Sequence, residues 1–212
     1  MKKDKLELYD IFYLFIFGCV FGWTVEVIWS YFKRGMFINH SAVVIGPFNT
    51  IYGLGAVLLT LALYKIKDSD YVKIFITSFL TGSIIEYVTS FFMEHAFGFI
   101  PWNYHTKFMH INGRICLIYS IFWGILGIIW IKLIYPKVVN VIKKTNHKIG
   151  NFFIKFLTIF LILDFCLTFC AVHRAKEYER NIPPANQFEQ FLDDHWGVDF
   201  LNNMYNNRWN KK

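Results

Sequence analysis

Residues 11–32, IFYLFIFGCVFGWTVEVIWSYF, form an apolar and aromatic run with one charged side chain, Glu26. A helix of about 20 residues spans a hydrocarbon core of about 30 Å, so this stretch is long enough to cross a bilayer. It exceeds the about 7–15 apolar residues of a cleaved signal, and no small-x-small site follows it. Working outward, five such blocks lie at 9–32, 47–65, 71–93, 114–135 and 152–172. Within lipid each must be helical, because no water is present to satisfy free backbone groups. The expected fold is therefore all-α: a polytopic transmembrane bundle of about five helices over residues 1–172, with an amphipathic tail at 173–212. Composition agrees, at 55% hydrophobic, 20% aromatic and only 17% charged residues, where soluble domains carry about 25% charge.

The net charge of +7 is gathered in short clusters between the apolar blocks: Lys2, Lys3 and Lys5; Lys65, Lys67 and Lys73; Lys137, Lys143, Lys144 and Lys148. That distribution follows the positive-inside rule and argues against a nucleic-acid partner. It places the N-terminus in the cytoplasm, the C-terminal tail outside, and the first and third loops (33–46 and 94–113) on the outer side of a cell membrane. Phosphate-binding loops of the G-x-x-x-x-G-K-[ST] type are absent, so any use of ATP requires a separate ATP-binding subunit. Cys19, Cys116, Cys166 and Cys170 lack zinc spacing, and His95, His105 and His110 match no metal signature. No metal or cofactor is expected.

Sliding the chain by sixty residues places Gly22, Glu26, Ser30 and Phe32 on Gly82, Glu86, Ser90 and Phe92. Both stretches read G-x-x-x-E-x-x-x-S-x-F, which predicts a duplicated helical hairpin with its first and third helices facing each other, plus a fifth helix. Pro47 is expected in the first turn of the second helix and Arg114 at the start of the fourth. In the tail, Pro183-Pro184 ends the fifth helix. Phe188, Phe191, Leu192 and Trp196 then predict one or two short amphipathic helices, with Gly197 as a stop, lying on the membrane or over its outer mouth.

Glu26 and Glu86 are the most informative positions. Gly18, Gly22 and Ser30 share the face of Glu26, and Ser78, Gly82 and Ser90 that of Glu86, leading to Glu94. Small residues allow close helix contact, while a carboxylate in the bilayer needs a partner or a proton. These acids are candidates to line an intramembrane cavity. Arg114, following Asn112-Gly113, is their candidate counter-charge, and Trp102 and Tyr104 sit at the outer interface. Asp164 stands alone in the fifth block.

Taken in order, several segments resemble the bacterial membrane proteins grouped as putative ABC-transporter type IV, or putative ABC transporter permeases. They are Gly22-Trp23-Thr24-Val25-Glu26; Gly46-Pro47 with Ile51-Tyr52-Gly53-Leu54-Gly55-Ala56; Glu86-Tyr87-Val88-Thr89-Ser90 with Glu94; Phe97-Gly98 with Trp102-Asn103-Tyr104; and Asn112-Gly113-Arg114-Ile115-Cys116-Leu117 with Phe122-Trp123-Gly124. The chain departs from the family pattern at Asn103, where the family prefers Asp, and at Phe108-Met109-His110. The resemblance adds Trp23, Tyr52 and Asn112 to the candidate residues. It implies a permease-like transporter subunit of unknown substrate, working with an ATPase and as a homodimer. Two other readings are a membrane-embedded enzyme acting on a lipid or isoprenoid, and an assembly or regulatory partner.

Overall fold

The computed structural model describes residues 6–98, 100–145 and 147–204; the N-terminal cluster Lys2, Lys3 and Lys5 lies outside them. Helix α1 spans Leu8–Arg34. Its first turn is closed by a reciprocal Glu7–Asp10 capping box, and Gly35, at φ 70, ends it by donating its N–H to Tyr31. Helix α3, Tyr71–Phe97, has the same length and the same ending: Asp70 caps its start through the Lys73 N–H, and Gly98, at φ 71, closes it on Glu94.

Between them, α2 covers Thr50–Leu63 and ends in a tight turn over Tyr64–Ile66. Helix α4, Leu117–Ile129, passes through a wider π turn at Trp130–Ile134 into α5, Tyr135–Lys144. The widened turn falls where Pro136 removes a backbone donor, so the helix continues through the proline rather than stopping at 135. Lys132, within that turn, donates to the Lys67 carbonyl at 2.6 Å, which ties the two basic loops together. Helix α6 runs from His147 to Glu179, and α7 (Gln187–Trp196) and α8 (Val198–Met204) follow. Among the described residues, four helical spans are long and apolar enough to cross a membrane, and the α2 segment, Thr50–Ile66, is a shorter apolar helix.

Two boundaries differ from the sequence reading for definite reasons. Pro47 precedes α2 instead of opening it, because residues 41–48 fold back on themselves. The Ser41 hydroxyl lies 2.8 Å from the carbonyls of both Val43 and Gly46. Much of this first loop is buried rather than solvated: Val43 is 0% exposed, and Ser41 and Phe48 are also buried. Arg114 does not open α4 but lies on a short hairpin in which β1 (His110–Ile111) pairs antiparallel with β2 (Ile115–Cys116). Asn112 and Gly113, at φ 51 and 67, form its turn; Asn-Gly is the pair that such tight hairpin turns favour.

Packing is dominated by α1 on α2 and α3 on α4, and the two pairs are joined chiefly through α2 and α3. Helices α1 and α3 do not face each other as the duplication predicted, because each glycine-lined face is already filled by its own hairpin partner. The inner core brings Leu14, Leu59, Leu63, Ile74, Trp130 and Ile131 together, and the Trp130 indole donates to Thr60 at 2.8 Å. A second cluster joins Val44 of the first loop to Ala171, Val172 and Ala175 of α6 and Leu192, Leu201 and Met204 of the tail.

Gly22 and Gly82 determine how closely the hairpins close. A Cβ on Gly22 would stand 2.1 Å from the Tyr52 ring, and one on Gly82 would stand 2.1 Å from the Trp123 ring. Gly22→Ala and Gly82→Ala are each expected to cost about 1–3 kcal/mol through overpacking, whereas Thr24→Ala, on an exposed face of α1, should be near neutral. Thermal unfolding of the purified chain in detergent measures the difference.

Candidate functional site

The glycine in each G-x-x-x-E stretch has a direct structural consequence. On α1, Gly22 leaves room for the Tyr52 ring, whose hydroxyl donates to Glu26, one turn further along, at 2.6 Å. On α3, Gly82 leaves room for the Trp123 ring, whose side chain approaches Glu86, again one turn further along. In both hairpins an aromatic ring from the second helix crosses the first at a glycine, and in the first hairpin it donates to the acid beyond it. This is the physical content of the repeat.

Glu86 is the more enclosed acid, at 8% exposure. Its Oε1 accepts from the Tyr104 hydroxyl at 3.0 Å, while its Oε2 is buried without a hydrogen-bond partner. The Tyr104 ring stacks on Tyr119 at 4.6 Å between centroids. Burial, with Glu86 as the next cause, raises the Tyr104 phenol far above its ordinary range and keeps it a donor. Glu86 also lies within electrostatic reach of Tyr52. Glu26, Tyr52, Glu86 and Tyr104 therefore form one succession of acids and phenols across the two hairpins. Neither Glu26 nor Glu86 forms an ion pair among the described residues.

Arg114 stands apart from that succession. Its guanidinium pairs with Glu94, donates to Ser90 at 3.1 Å, and lies over the Tyr87 and Phe91 rings. The expected counter-charge for Glu26 and Glu86 is thus a clamp between the hairpin and the end of α3. Trp102 braces it by donating to the Arg114 carbonyl at 2.7 Å, and Asn112 donates to the Tyr87 hydroxyl at 2.9 Å. The first hairpin has a matching but weaker clamp. Trp23 donates to Asn39 at 2.8 Å, and Ser30, the counterpart of Ser90, meets His40 at 2.5 Å. Of the nine candidates, four belong to the acid–phenol succession, four surround the third loop, and Trp23 holds the first.

Sequence reasoning left Asp164 without a partner and overlooked Arg174. Asp164, 2% exposed, accepts from the Ile45 N–H at 3.1 Å, and Thr168, one turn on, accepts from the Val44 N–H at 3.0 Å. These bonds satisfy backbone donors of the buried first loop. Arg174, also 2% exposed, binds Asp193 through two nitrogens, at 2.9 and 3.0 Å, and reaches Glu177, which fixes α7 against α6. Its place beyond the last apolar block gave it the look of an ordinary interfacial cation. The sequence signals were Glu177, one turn on, and the more distant Glu189 and Asp193. The β1–β2 hairpin, by contrast, was visible in Asn112-Gly113.

A shallow apolar groove of about 240 Å³, lined by Leu80, Ser83, Ile84, Tyr87, Val88 and Ile115, lies on α3 beside the hairpin. It includes none of the acids.

Residues 13–169 match the family described as Putative ABC-transporter type IV, and the chain belongs to that family. The match continues past α4 and α5 into α6, a helix in which no motif was recognised. No curated protein and no solved structure matches the chain.

Removing the clamp should loosen the third loop, and with it the Tyr104 contact to Glu86, without disturbing the Glu26–Tyr52 pair. In Arg114→Gln, Glu94 and Ser90 lose their shared donor, and residues 100–116 should become several-fold more susceptible to limited proteolysis. The Glu26–Tyr52 hairpin should remain intact in the same digest.

Proposed function

We propose that this family member is the membrane-spanning subunit of a transport system, and that its polar path is built on the Glu26–Tyr52 and Glu86–Tyr104 pairs. Membership of a transporter family and several apolar helices support a multi-pass membrane protein. The observation that carries the finer reading is Glu86 Oε2, a buried carboxyl oxygen with no hydrogen-bond partner among the described residues, on an acid whose other oxygen is held by the Tyr104 hydroxyl. An oxygen left open there is suited to receive a passing group.

In this reading the basic segments around Lys65–Lys67 and Lys137–Lys144 face the cytoplasm and a separate ATP-binding subunit, and the two loops and the tail face outside. A chain with so few crossings would complete its path as a homodimer. The lipid-enzyme reading needs a cation near the acids to hold a phosphate headgroup. Arg114, the natural candidate, is occupied by Glu94 and Ser90.

The test is purification of the tagged full-length chain from its native membranes. An ATP-binding polypeptide should accompany it, and ATP hydrolysis by the complex should fall roughly tenfold or more in Glu86→Gln, a change of about 1.4 kcal/mol in barrier, with the complex still assembled. If no such polypeptide accompanies the chain, and Glu86→Gln only lowers thermal stability, the acids serve packing and the transport reading is wrong.

A further inference from the structure

We propose that Glu86 is an exchangeable proton site, with Tyr104 as its contact to the outer loop. What the site is for rests on the transport reading above; the site itself rests on geometry.

Glu26, Glu86 and Asp164 lie away from the ends of the long apolar helices. Among the described residues, three cations on or beside these helices are engaged elsewhere. Arg114 holds Glu94 and Ser90, Arg174 holds Asp193 and Glu177, and Lys132 holds the Lys67 carbonyl. Asp164 and Glu86 each accept with one oxygen and keep the other buried without a partner among the described residues. Asp164, however, holds the backbone of the first loop, whereas the served oxygen of Glu86 meets a titratable side chain, Tyr104. A bare carboxylate there is costly, so it is neutralised by a proton or by a small cation.

The surroundings favour the proton. A metal cation needs several oxygens around it, and the hard divalent ions take six or more. Glu86 sits in mid-helix, where the neighbouring backbone carbonyls are used by helical hydrogen bonds. Its hydrogen-bond partner is Tyr104 from the outer loop, with Trp123 of α4 beside it and Tyr52 of α2, which holds Glu26, within electrostatic reach. Tyr119 and Cys116 face Tyr104 from behind. Trp123 offers an N–H, which suits a carboxyl oxygen and opposes a metal ion.

The exchange balances. The Glu86 O–H bond breaks as a new O–H bond forms on the oxygen of a water from the loop side, which leaves Glu86 ionised and carries the proton away as hydronium, and the reverse step restores it.

A lipophilic carbodiimide tests this on the full-length chain in liposomes, since the reagent adds to protonated carboxyls in apolar surroundings and leaves a stable acylurea. Peptide mass spectrometry should find the adduct on Glu86 at pH 6, with yield falling as the pH rises and unaffected by sodium or potassium. The infrared carbonyl band of a protonated carboxyl, a readout independent of reagent access, should be lost in Glu86→Gln. Absence of both adduct and band in a normally folded chain would overturn the proposal, as would protection by sodium or potassium at constant pH. An adduct without an ATP-binding partner would keep the proton site and remove the transport reading. A partner whose activity depends on Glu86, with neither adduct nor band, would do the reverse.

Discussion

A carboxyl group inside a bilayer must find its hydrogen bonds within the protein, and much of this architecture follows from how that is done. The acid alone cannot recruit a donor from a neighbouring helix unless the two backbones come close and a long side chain can cross between them. Gly22 and Gly82 supply the close approach, and Tyr52 and Trp123 do the crossing. The apolar interior, the close packing of α1 on α2 and α3 on α4, and the positions of Glu26 and Glu86 are then aspects of one arrangement used twice.

The two halves are not used identically. In the first hairpin the ring that crosses the glycine is itself the hydroxyl donor, so Glu26 has a direct partner. In the second, Trp123 occupies that crossing, and the phenol comes instead from Tyr104, in the outer loop. Tyr104 is held by stacking on Tyr119, in a loop fixed by the Arg114 clamp and the Asn112-Gly113 turn. One acid is thus tied to the helices alone, and the other to the loop that follows α3. That difference is what sets Glu86 apart in the proposed exchange.

The membrane class and helical blocks were legible in the sequence because lipid imposes length and hydropathy without regard to tertiary detail. The G-x-x-x-E repeat was legible as a pattern, and it marked the acids before any geometry was known. Its meaning was not legible, because sequence does not reveal which aromatic on a partner helix crosses which glycine. The same limit explains the misplacement of α1 facing α3. The first loop was hardest: His40, Ser41 and Asn49 look like ordinary loop polarity. Their roles depend on partners as remote as Ser30, while the neighbouring Val44 and Ile45 depend on Asp164 and Thr168, more than a hundred residues away. Arg114 was correctly singled out as a charge needing a partner, but its partner proved to be Glu94, at the end of its own hairpin.

The central claim is that each glycine exists so that an aromatic ring can cross beside the acid one turn on, and that in the first hairpin this ring donates to it. A double-mutant cycle of Tyr52→Phe with Glu26→Gln, read by unfolding of the purified chain in detergent, tests it most directly. If the hydroxyl and the carboxyl form one interaction, the double variant should be no worse than the more damaging single variant, with a coupling of about 1 kcal/mol or more. Additive effects would mean that the two side chains act separately, and the account of the repeat would fail.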